Sequence, residues 1–278
     1  MLPNIKNIEE TTPISNIKQN QIEETYPTIK KIYKELVSSK QLDFEYLPSI
    51  GDLKLANKLF DLMFDNKVSV KSQIAMAQTC GLQNGYFIMG HIVKNYYINS
   101  NKFYVRKPYL QLKNLLKAYE FEYYDFNIQE LSELHPSSVI IVNNPEKQDI
   151  ENLNKNIKLI NEKKIMLFIC IDKLNTTDDY SFDMILYDNM VKFSELINEL
   201  EAIVINMDMS SYLSIGGVNL GHLFIKVDTP DNARNCEGAI SFFNRNTFST
   251  PVKMGCTILA RLLEDKNNLI SLGKELNA

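Results

Sequence analysis

Polar residues follow the strands that the sequence predicts, and they are the residues best suited to bind a ligand. They are Thr79, Arg106, Asn144, Asp172 and the segment Asp208 to Gly217. In sheets built from alternating strands and helices, ligands bind beyond the carboxyl ends of the strands. One polar residue at such a position is more often a cap or turn residue, but five positions together favour a binding site.

Two common phosphate-binding motifs do not occur in the sequence. The glycine-rich segment Gly216 to Gly221 does not fit G-x-G-x-x-G, and G-x-x-x-x-G-K-[ST] is found nowhere. The first motif is typical of dinucleotide binding and the second of nucleoside triphosphate binding. A nucleotide-binding protein is therefore the weaker interpretation.

The composition disfavours metal and nucleic-acid sites. The four cysteines have no C-x-x-C spacing and only three histidines could join them, so we expect no metal site and four thiols in a reducing compartment. A net charge of -4 argues against a nucleic-acid partner. Only four of the 30 basic residues are arginine, whose planar fork binds carboxylate or phosphate bidentately: Arg106, Arg234, Arg245 and Arg261.

The hydrophobic pattern predicts an α/β fold with a mostly parallel sheet sandwiched by helices. Strands are predicted at 68–77, 103–106, 121–124, 138–142, 165–171, 202–206 and 222–227. Helices are predicted to begin at Pro27 and after the cap Asp52, then at 82–97, 109–119, 147–161 and over most of 251–276. The strand at 165–171 is apolar throughout, which predicts that helices cover both of its faces.

The chain is long enough for one large or two ordinary globular domains, and 45% of its residues are hydrophobic. No apolar run approaches the roughly 18 residues of a membrane span, and none near Met1 resembles a signal peptide. We therefore expect an intracellular protein with no membrane partner, cytoplasmic in the first instance, with a mitochondrial location as the second possibility. Residues 1–24 are polar and without periodicity, which predicts an extended arm.

A series of short motifs occurs in a fixed order between about Phe44 and Asn268. The motifs are Glu45-Tyr46-Leu47-Pro48 with Gly51, Lys107-Pro108, Tyr119 to Asp125, Val139 to Pro145, Phe168 to Asp172 and Arg245 to Pro251. Together they resemble segments of the class I aminotransferases, and specifically the aspartate aminotransferase branch of the pyridoxal-phosphate (PLP) enzymes of fold type I. The resemblance implies that the sheet belongs to the large domain of a PLP-dependent transferase.

The resemblance also implies a domain division. Residues 1–44 would form an arm and a small-domain helix, 45–250 the large α/β domain, and 251–278 the start of the connecting helix. Because the sequence ends at Ala278, we expect a truncated small domain without the arginine that holds the substrate's α-carboxylate.

By resemblance, five residues would take roles in cofactor or substrate binding. Asp172 would pair with the ring nitrogen of PLP, Asn144 would donate to its phenolic oxygen, and Thr79 would contact its phosphate. Tyr46 would reach the phosphate from a neighbouring subunit. Arg245 would hold the distal carboxylate of a dicarboxylic substrate across the dimer.

Five other positions depart from the family pattern. Ser211 stands where the lysine that forms an imine with PLP belongs, and a hydroxyl cannot form an imine. Asn219 replaces the arginine that pairs with the phosphate, and Asp208 replaces its serine ligand. Asn175 replaces the tyrosine that tunes the imine. Leu110 replaces the tryptophan that stacks on the ring.

These departures lead to a pseudoenzyme as the first hypothesis. The chain would keep the aminotransferase fold, bind PLP weakly or not at all, and act as a binding or scaffold protein. One alternative is an active PLP-dependent aminotransferase whose lysine is Lys173 or Lys253. A third possibility is a sensor that binds a dicarboxylate through Arg245 without chemistry.

We expect the chain to form a homodimer or to bind a protein partner. The polar arm cannot form a core of its own, and a truncated small domain would leave apolar faces of the first and last helices uncovered.

Overall fold

The computed structural model describes residues 25–41, 45–97, 101–176 and 180–277. The predicted arm and the predicted domain boundary at residue 44 lie outside these ranges. The described residues form a seven-stranded sheet in the order β1-β7-β6-β5-β4-β2-β3. Its strands are β1 (Ile74–Cys80), β2 (Lys102–Arg106), β3 (Glu122–Asp125), β4 (Val139–Asn143), β5 (Met166–Ile171), β6 (Ile203–Asp208) and β7 (Leu220–Lys226).

The sheet is mostly parallel, as the sequence predicts. β3, β2, β4, β5 and β6 pair in parallel, whereas β7 runs antiparallel to both of its neighbours, β6 and β1. The predicted α/β fold is therefore confirmed. None of the described helices is both long enough and apolar enough to cross a membrane.

Helices cover both faces of the sheet. The described α-helices are α1 (Pro27–Ser38), α2 (Leu53–Phe64), α3 (Gly81–Ile92), α4 (Leu110–Ala118), α5 (Lys147–Lys155), α6 (Ile157–Glu162), α7 (Phe182–Met190), α8 (Ser194–Glu199), α9 (Met209–Tyr212), α10 (Pro230–Thr247), α11 (Lys253–Leu262) and α12 (Lys266–Leu276). Alternate residues of β1, β4, β5, β6 and β7 enter two separate cores. The smaller core lies under α3, α4 and α10, and the larger one under the other helices that cover the sheet.

The β5 strand shows this division clearly. Leu167 and Ile169 enter the larger core, whereas Met166 and Phe168 enter the smaller one. Every residue of β5 is buried, so the prediction that this strand is covered on both faces is confirmed.

Two predicted helix starts are confirmed by their local geometry. Pro27 is the first residue of α1. The Asp52 carboxylate caps α2, where it accepts hydrogen bonds from the backbone N–H groups of Lys54 at 3.0 Å and Leu55 at 3.1 Å. These bonds satisfy N–H groups that have no partner within the helix.

Some predicted boundaries are wrong. The first strand begins at Ile74 rather than residue 68, because a turn and a 3-10 helix at Lys71–Gln73 precede it. The single helix predicted at 147–161 is two helices that meet at Asn156. The helix predicted at 82–97 ends at Ile92 and continues as a π-helical turn over Val93–Tyr97.

The sequence pattern does not predict four of the described helices: α7, α8, α9 and α10. The longest is α10, whose 18 residues include only three buried ones, Ala233, Ile240 and Asn244. A helix that buries so few apolar side chains has no hydrophobic stripe by which the sequence could show it.

Candidate functional site

The carboxyl ends of the parallel strands meet at one edge of the sheet and bring several predicted site residues close together. Asn144 follows β4 directly, and Asp172 follows β5 directly. Because β4 and β5 are neighbours, the side chains of these two residues come into contact. The expectation that polar residues gather at this edge therefore holds for this pair.

A third residue, Tyr109, completes the cluster. Its hydroxyl donates to Asp172 Oδ2 at 3.0 Å and accepts from Asn144 Nδ2 at 2.8 Å. Asn144 Nδ2 also donates to Asp172 Oδ1 at 2.5 Å. We call the hydrogen-bonded side chains of Tyr109, Asn144 and Asp172 the strand-end triad.

The triad uses all the hydrogen-bonding capacity of Asn144. Its amide nitrogen has two hydrogens, and both are donated within the triad. Its oxygen accepts from the backbone N–H groups of Asp172 at 3.1 Å and Lys173 at 3.3 Å. The Asn144 backbone is left-handed, with a φ of 44°, a conformation that asparagine adopts more readily than most residues. Asn144 is therefore fully engaged by the protein itself.

The loop after β2 holds Tyr109 in place. Lys107 has a φ of 56°, and its carbonyl oxygen accepts from Asn143 Nδ2 at 2.7 Å. Asn143 Oδ1 in turn accepts from the hydroxyl of Tyr86, which is buried, at 2.6 Å. Burial, and next the nearby carboxylate of Asp172, raise the pKa of Tyr109, so its hydroxyl stays protonated and donates.

Sequence reasoning missed Tyr109. The aminotransferase motif directs attention to the next position, Leu110, whose side chain is 57% exposed. One signal was available, because Tyr109 lies in the loop after a strand, at the edge where ligands of such sheets bind.

A second polar group lies at the end of β6. Asp208 caps the short helix α9, where its Oδ1 accepts from the Ser210 backbone N–H at 3.0 Å and from the Ser210 hydroxyl at 2.5 Å. The Ser211 hydroxyl donates to Asp208 Oδ2 at 3.1 Å. The next residue, Tyr212, is buried, and burial followed by the charges of Asp208 and Asp172 raises its pKa. Ser211 itself is exposed.

Thr79 lies at the end of β1 and is completely buried. Its hydroxyl donates to the Gly81 carbonyl oxygen at 3.0 Å. In the sheet it pairs with Gly221, which on its other side pairs with Asp208. A Cβ atom on Gly221 would collide with the Thr79 hydroxyl, so the strands approach too closely here for any side chain.

Three further candidate residues lie apart from the triad. Arg106 forms an ion pair with Asp149 at 2.8 Å, in which the Asp149 side chain is only 6% exposed. Tyr46 lies before α2 and is 80% exposed. Arg245 is exposed near the end of α10, where it donates to the Ser249 hydroxyl at 3.3 Å.

The comparison with solved structures identifies the fold. No family model matches the sequence, and no curated protein matches it significantly. Among solved structures, a mitochondrial aspartate aminotransferase from Trypanosoma brucei has a TM-score of 0.71 at 18% identity, covering 84% of this chain and 66% of that one. The aspartate aminotransferase of Plasmodium falciparum has a TM-score of 0.74 at 19% identity, covering 91% and 66%.

A third similar structure is an aromatic-amino-acid aminotransferase from Burkholderia pseudomallei covalently bound to pyridoxal phosphate. It has a TM-score of 0.74 at 16% identity, covering 91% of this chain and 67% of that one. The chain thus has the fold of the PLP-dependent aminotransferases. Within that class, the fold is aspartate aminotransferase-like. The chain spans about two thirds of the length of these structures.

The described residues do not fit PLP, the cofactor that this fold implies. The cofactor needs an acid at its ring nitrogen, a donor at its phenolic oxygen, donors for its phosphate and a lysine for its aldehyde. Asp172 and Asn144 are instead bonded to each other and to the Tyr109 hydroxyl, so both side chains already have hydrogen-bond partners within the chain. At the end of β6, the Asp208 carboxylate would repel a phosphate.

Proposed function

We propose that this chain is a non-catalytic protein with an aminotransferase fold, acting as a binding or scaffold protein. The strand-end triad is the observation that supports this most strongly. Residues that could hold a ring cofactor are used to join the loops after β2, β4 and β5. Ser211, which stands where the resemblance places the lysine, donates to Asp208 instead.

The test is a transamination assay with aspartate and 2-oxoglutarate in the presence of added PLP. We expect no amino-group exchange, because a serine supplies neither an imine nor a proton-transferring amine. Turnover that co-purifies with the protein and is lost in a Lys173→Ala or a Lys253→Ala variant would contradict the proposal.

The active-enzyme alternative has one observation in its favour. Lys173 lines a cleft that Asn144 and Tyr109 also line, so a lysine does lie near the triad. Borohydride treatment in the presence of PLP, followed by peptide mapping, distinguishes the two functions. A single dominant pyridoxyl-lysine at Lys173, together with turnover, would establish the alternative. Weak labelling spread over exposed lysines is the result that the pseudoenzyme predicts.

We also propose that the protein acts as a homodimer in a reducing intracellular compartment, with the cytoplasm as the first choice. All four cysteines are free thiols, which supports a reducing environment. Several large apolar side chains are exposed, which supports a protein interface: Tyr46, Phe87, Leu110, Phe242 and Val252. Light scattering at micromolar concentration tests the dimer, and a monomer mass would contradict it.

A further inference from the structure

A cleft of about 910 Å³ opens beside the strand-end triad, between the loops after β2 and β5 and the helices α5 and α7. This volume lies within the range of about 300–1,000 Å³ that is usual for small-molecule sites. Tyr109 and Asn144 form part of its wall, and none of its lining residues comes from β6 or β7. It is therefore a different place from the one where Ser211 and Asp208 lie.

The charged residues that line the cleft are mainly basic. Four lysines from four different segments line it, together with two glutamates. They are Lys107, Lys147, Lys173, Lys192, Glu146 and Glu151. The lysines outnumber the glutamates in this cleft, although the net charge of the chain is -4. A concave wall with an excess of one charge concentrates the field that attracts an opposite ion.

The two glutamates engage two of the lysines. Lys107 pairs with Glu146 at 2.7 Å, and Lys147 pairs with Glu151 at 4.0 Å. Lys173 and Lys192 have no carboxylate partner in the ranges that the structure describes. Two positive charges of the cleft are therefore uncompensated by those residues.

Lys192 carries its charge in a half-buried position. Its ammonium lies 5.4 Å from the centre of the Phe193 ring, and burial lowers its pKa. A cation that is partly removed from water and unpaired is unfavourable, so an anion placed beside it gains more than it would at a fully exposed lysine. Lys173 is exposed and reaches the same cleft.

We propose that this cleft is a binding site for a small, multiply charged organic anion, held by Lys173 and Lys192. Phosphate esters and polycarboxylates share this chemistry. The volume of the cleft exceeds that of one phosphate or carboxylate group and leaves room for the organic part of such a molecule. The inference goes beyond the proposed function and does not depend on whether transamination is lost.

Calorimetric titration of the whole chain tests the site, with inorganic pyrophosphate and citrate as separate probes at low ionic strength. We expect at least one probe to bind at one site per chain, with an affinity that falls as salt is added. Pyrophosphate alone would indicate a phosphate ester as the natural ligand, and citrate alone a polycarboxylate. If neither probe binds, the proposal is wrong.

Variants locate the binding. Lys173→Gln combined with Lys192→Gln is expected to weaken the affinity at least about tenfold, because the unpaired cations are removed. Lys173→Arg combined with Lys192→Arg keeps both charges and is expected to retain binding. The matched control is Lys158→Gln, which removes an exposed lysine of α6 outside the cleft. An affinity that the double Gln variant leaves unchanged, or that the control lowers equally, would overturn the site.

Footprinting on the unaltered chain gives an independent measurement. Acetylation of lysines, read by mass spectrometry, is expected to slow at Lys173 and Lys192 when the bound probe is present, and to continue at Lys158. Equal rates at all three lysines would contradict the proposal. None of these measurements involves PLP, so their outcome is separate from that of the transamination assay.

Discussion

The hydroxyl of Tyr109 donates a hydrogen bond to the carboxylate of Asp172 across 3.0 Å, and Asn144 bonds to both side chains. The three residues come from the loops that follow three neighbouring strands. Their contacts link three loops at the edge of the sheet where a ligand of this fold class would be held. The same polar residues that suggest a cofactor site thus stabilise the strand ends.

The first prediction concerns the hydroxyl of Tyr109. Tyr109→Phe removes one donor to Asp172 and one acceptor from Asn144 while keeping the ring. We expect the free energy of unfolding to fall by about 1–2 kcal/mol, because half-buried polar groups lose a partner. Urea denaturation followed by circular dichroism measures the change.

Tyr124→Phe is the matched control for that variant. The Tyr124 hydroxyl donates to Glu122 at 2.8 Å, but this pair lies on the exposed strand β3. Solvent replaces the lost hydrogen bond there, so little change in stability is expected. Equal effects of the two variants would show that the triad gives no special stability.

The second prediction concerns acid sensitivity and rests on His222. This residue is completely buried in β7, both ring nitrogens lack a hydrogen-bond partner in the described residues, and burial lowers its pKa to about 4. The unfolded chain, with an ordinary histidine pKa near 6.5, binds the proton more tightly. His222 therefore contributes stability above about pH 6.5, which is lost as the pH falls towards about 4.

The size of this effect is about 3 kcal/mol for a pKa difference of this order. In a His222→Gln variant, which cannot take up the proton, the free energy of unfolding is expected to depend less steeply on pH between about 4 and 6.5. His135→Gln alters an exposed loop histidine and serves as the control. Identical pH slopes for His222→Gln and the unaltered protein would contradict the prediction.

The third prediction concerns the contact between α3 and β6. Gly85 is buried against Asn206, and a Cβ atom at Gly85 would overlap the Asn206 side-chain amide. Asn206 cannot move freely, because its Nδ2 donates to the Leu82 carbonyl oxygen at 2.9 Å. Gly85→Ala is expected to destabilise the protein by about 1–3 kcal/mol, as measured by urea denaturation.

Gly238→Ala provides the contrast. Gly238 lies on the exposed side of α10, and nothing lies within 4 Å of a Cβ atom placed there. Alanine is the better helix former, so this variant is expected to be neutral or more stable by up to about 1 kcal/mol. If both variants shift stability in the same direction, the close approach at Gly85 is not what determines the effect.

The sequence predicts the parts of this molecule that have a strong local signal. Pro27 indicates a helix start because its ring suits the first helical turn, and Asp52 does so because its side chain can cap a helix. The uninterrupted apolar residues of β5 predict that the strand is buried on both faces. The polar residues Asn144 and Asp172 were found because a strand end places them. In contrast, α10 buries too few apolar residues to show a period.

The triad itself could not be derived from the pattern. Tyr109 follows Lys107, which adopts a left-handed conformation that a lysine in a sequence does not indicate, and the contact of Tyr109 with Asp172 is seen only in the folded chain. The cleft could not be derived from the sequence pattern either. Its four lysines are far apart in the chain, and the sheet topology brings them together.

The last prediction asks whether a lysine alone restores cofactor attachment. In Ser211→Lys, the new amine would lie beside the Asp208 carboxylate, which already accepts from the Ser211 hydroxyl. That charge raises the pKa of the amine and makes it a poorer nucleophile, and it repels a phosphate. Asn144 and Asp172 remain bound to Tyr109. We therefore expect almost no borohydride-trapped pyridoxyl group at position 211 with low micromolar PLP.

Adding Tyr109→Ala to Ser211→Lys opens the triad. The double variant is expected to show more trapping at position 211, without transamination. Tyr109→Ala alone is the control for attachment at other lysines. Strong trapping by Ser211→Lys alone, at the level of the double variant, would show that the triad does not exclude the cofactor.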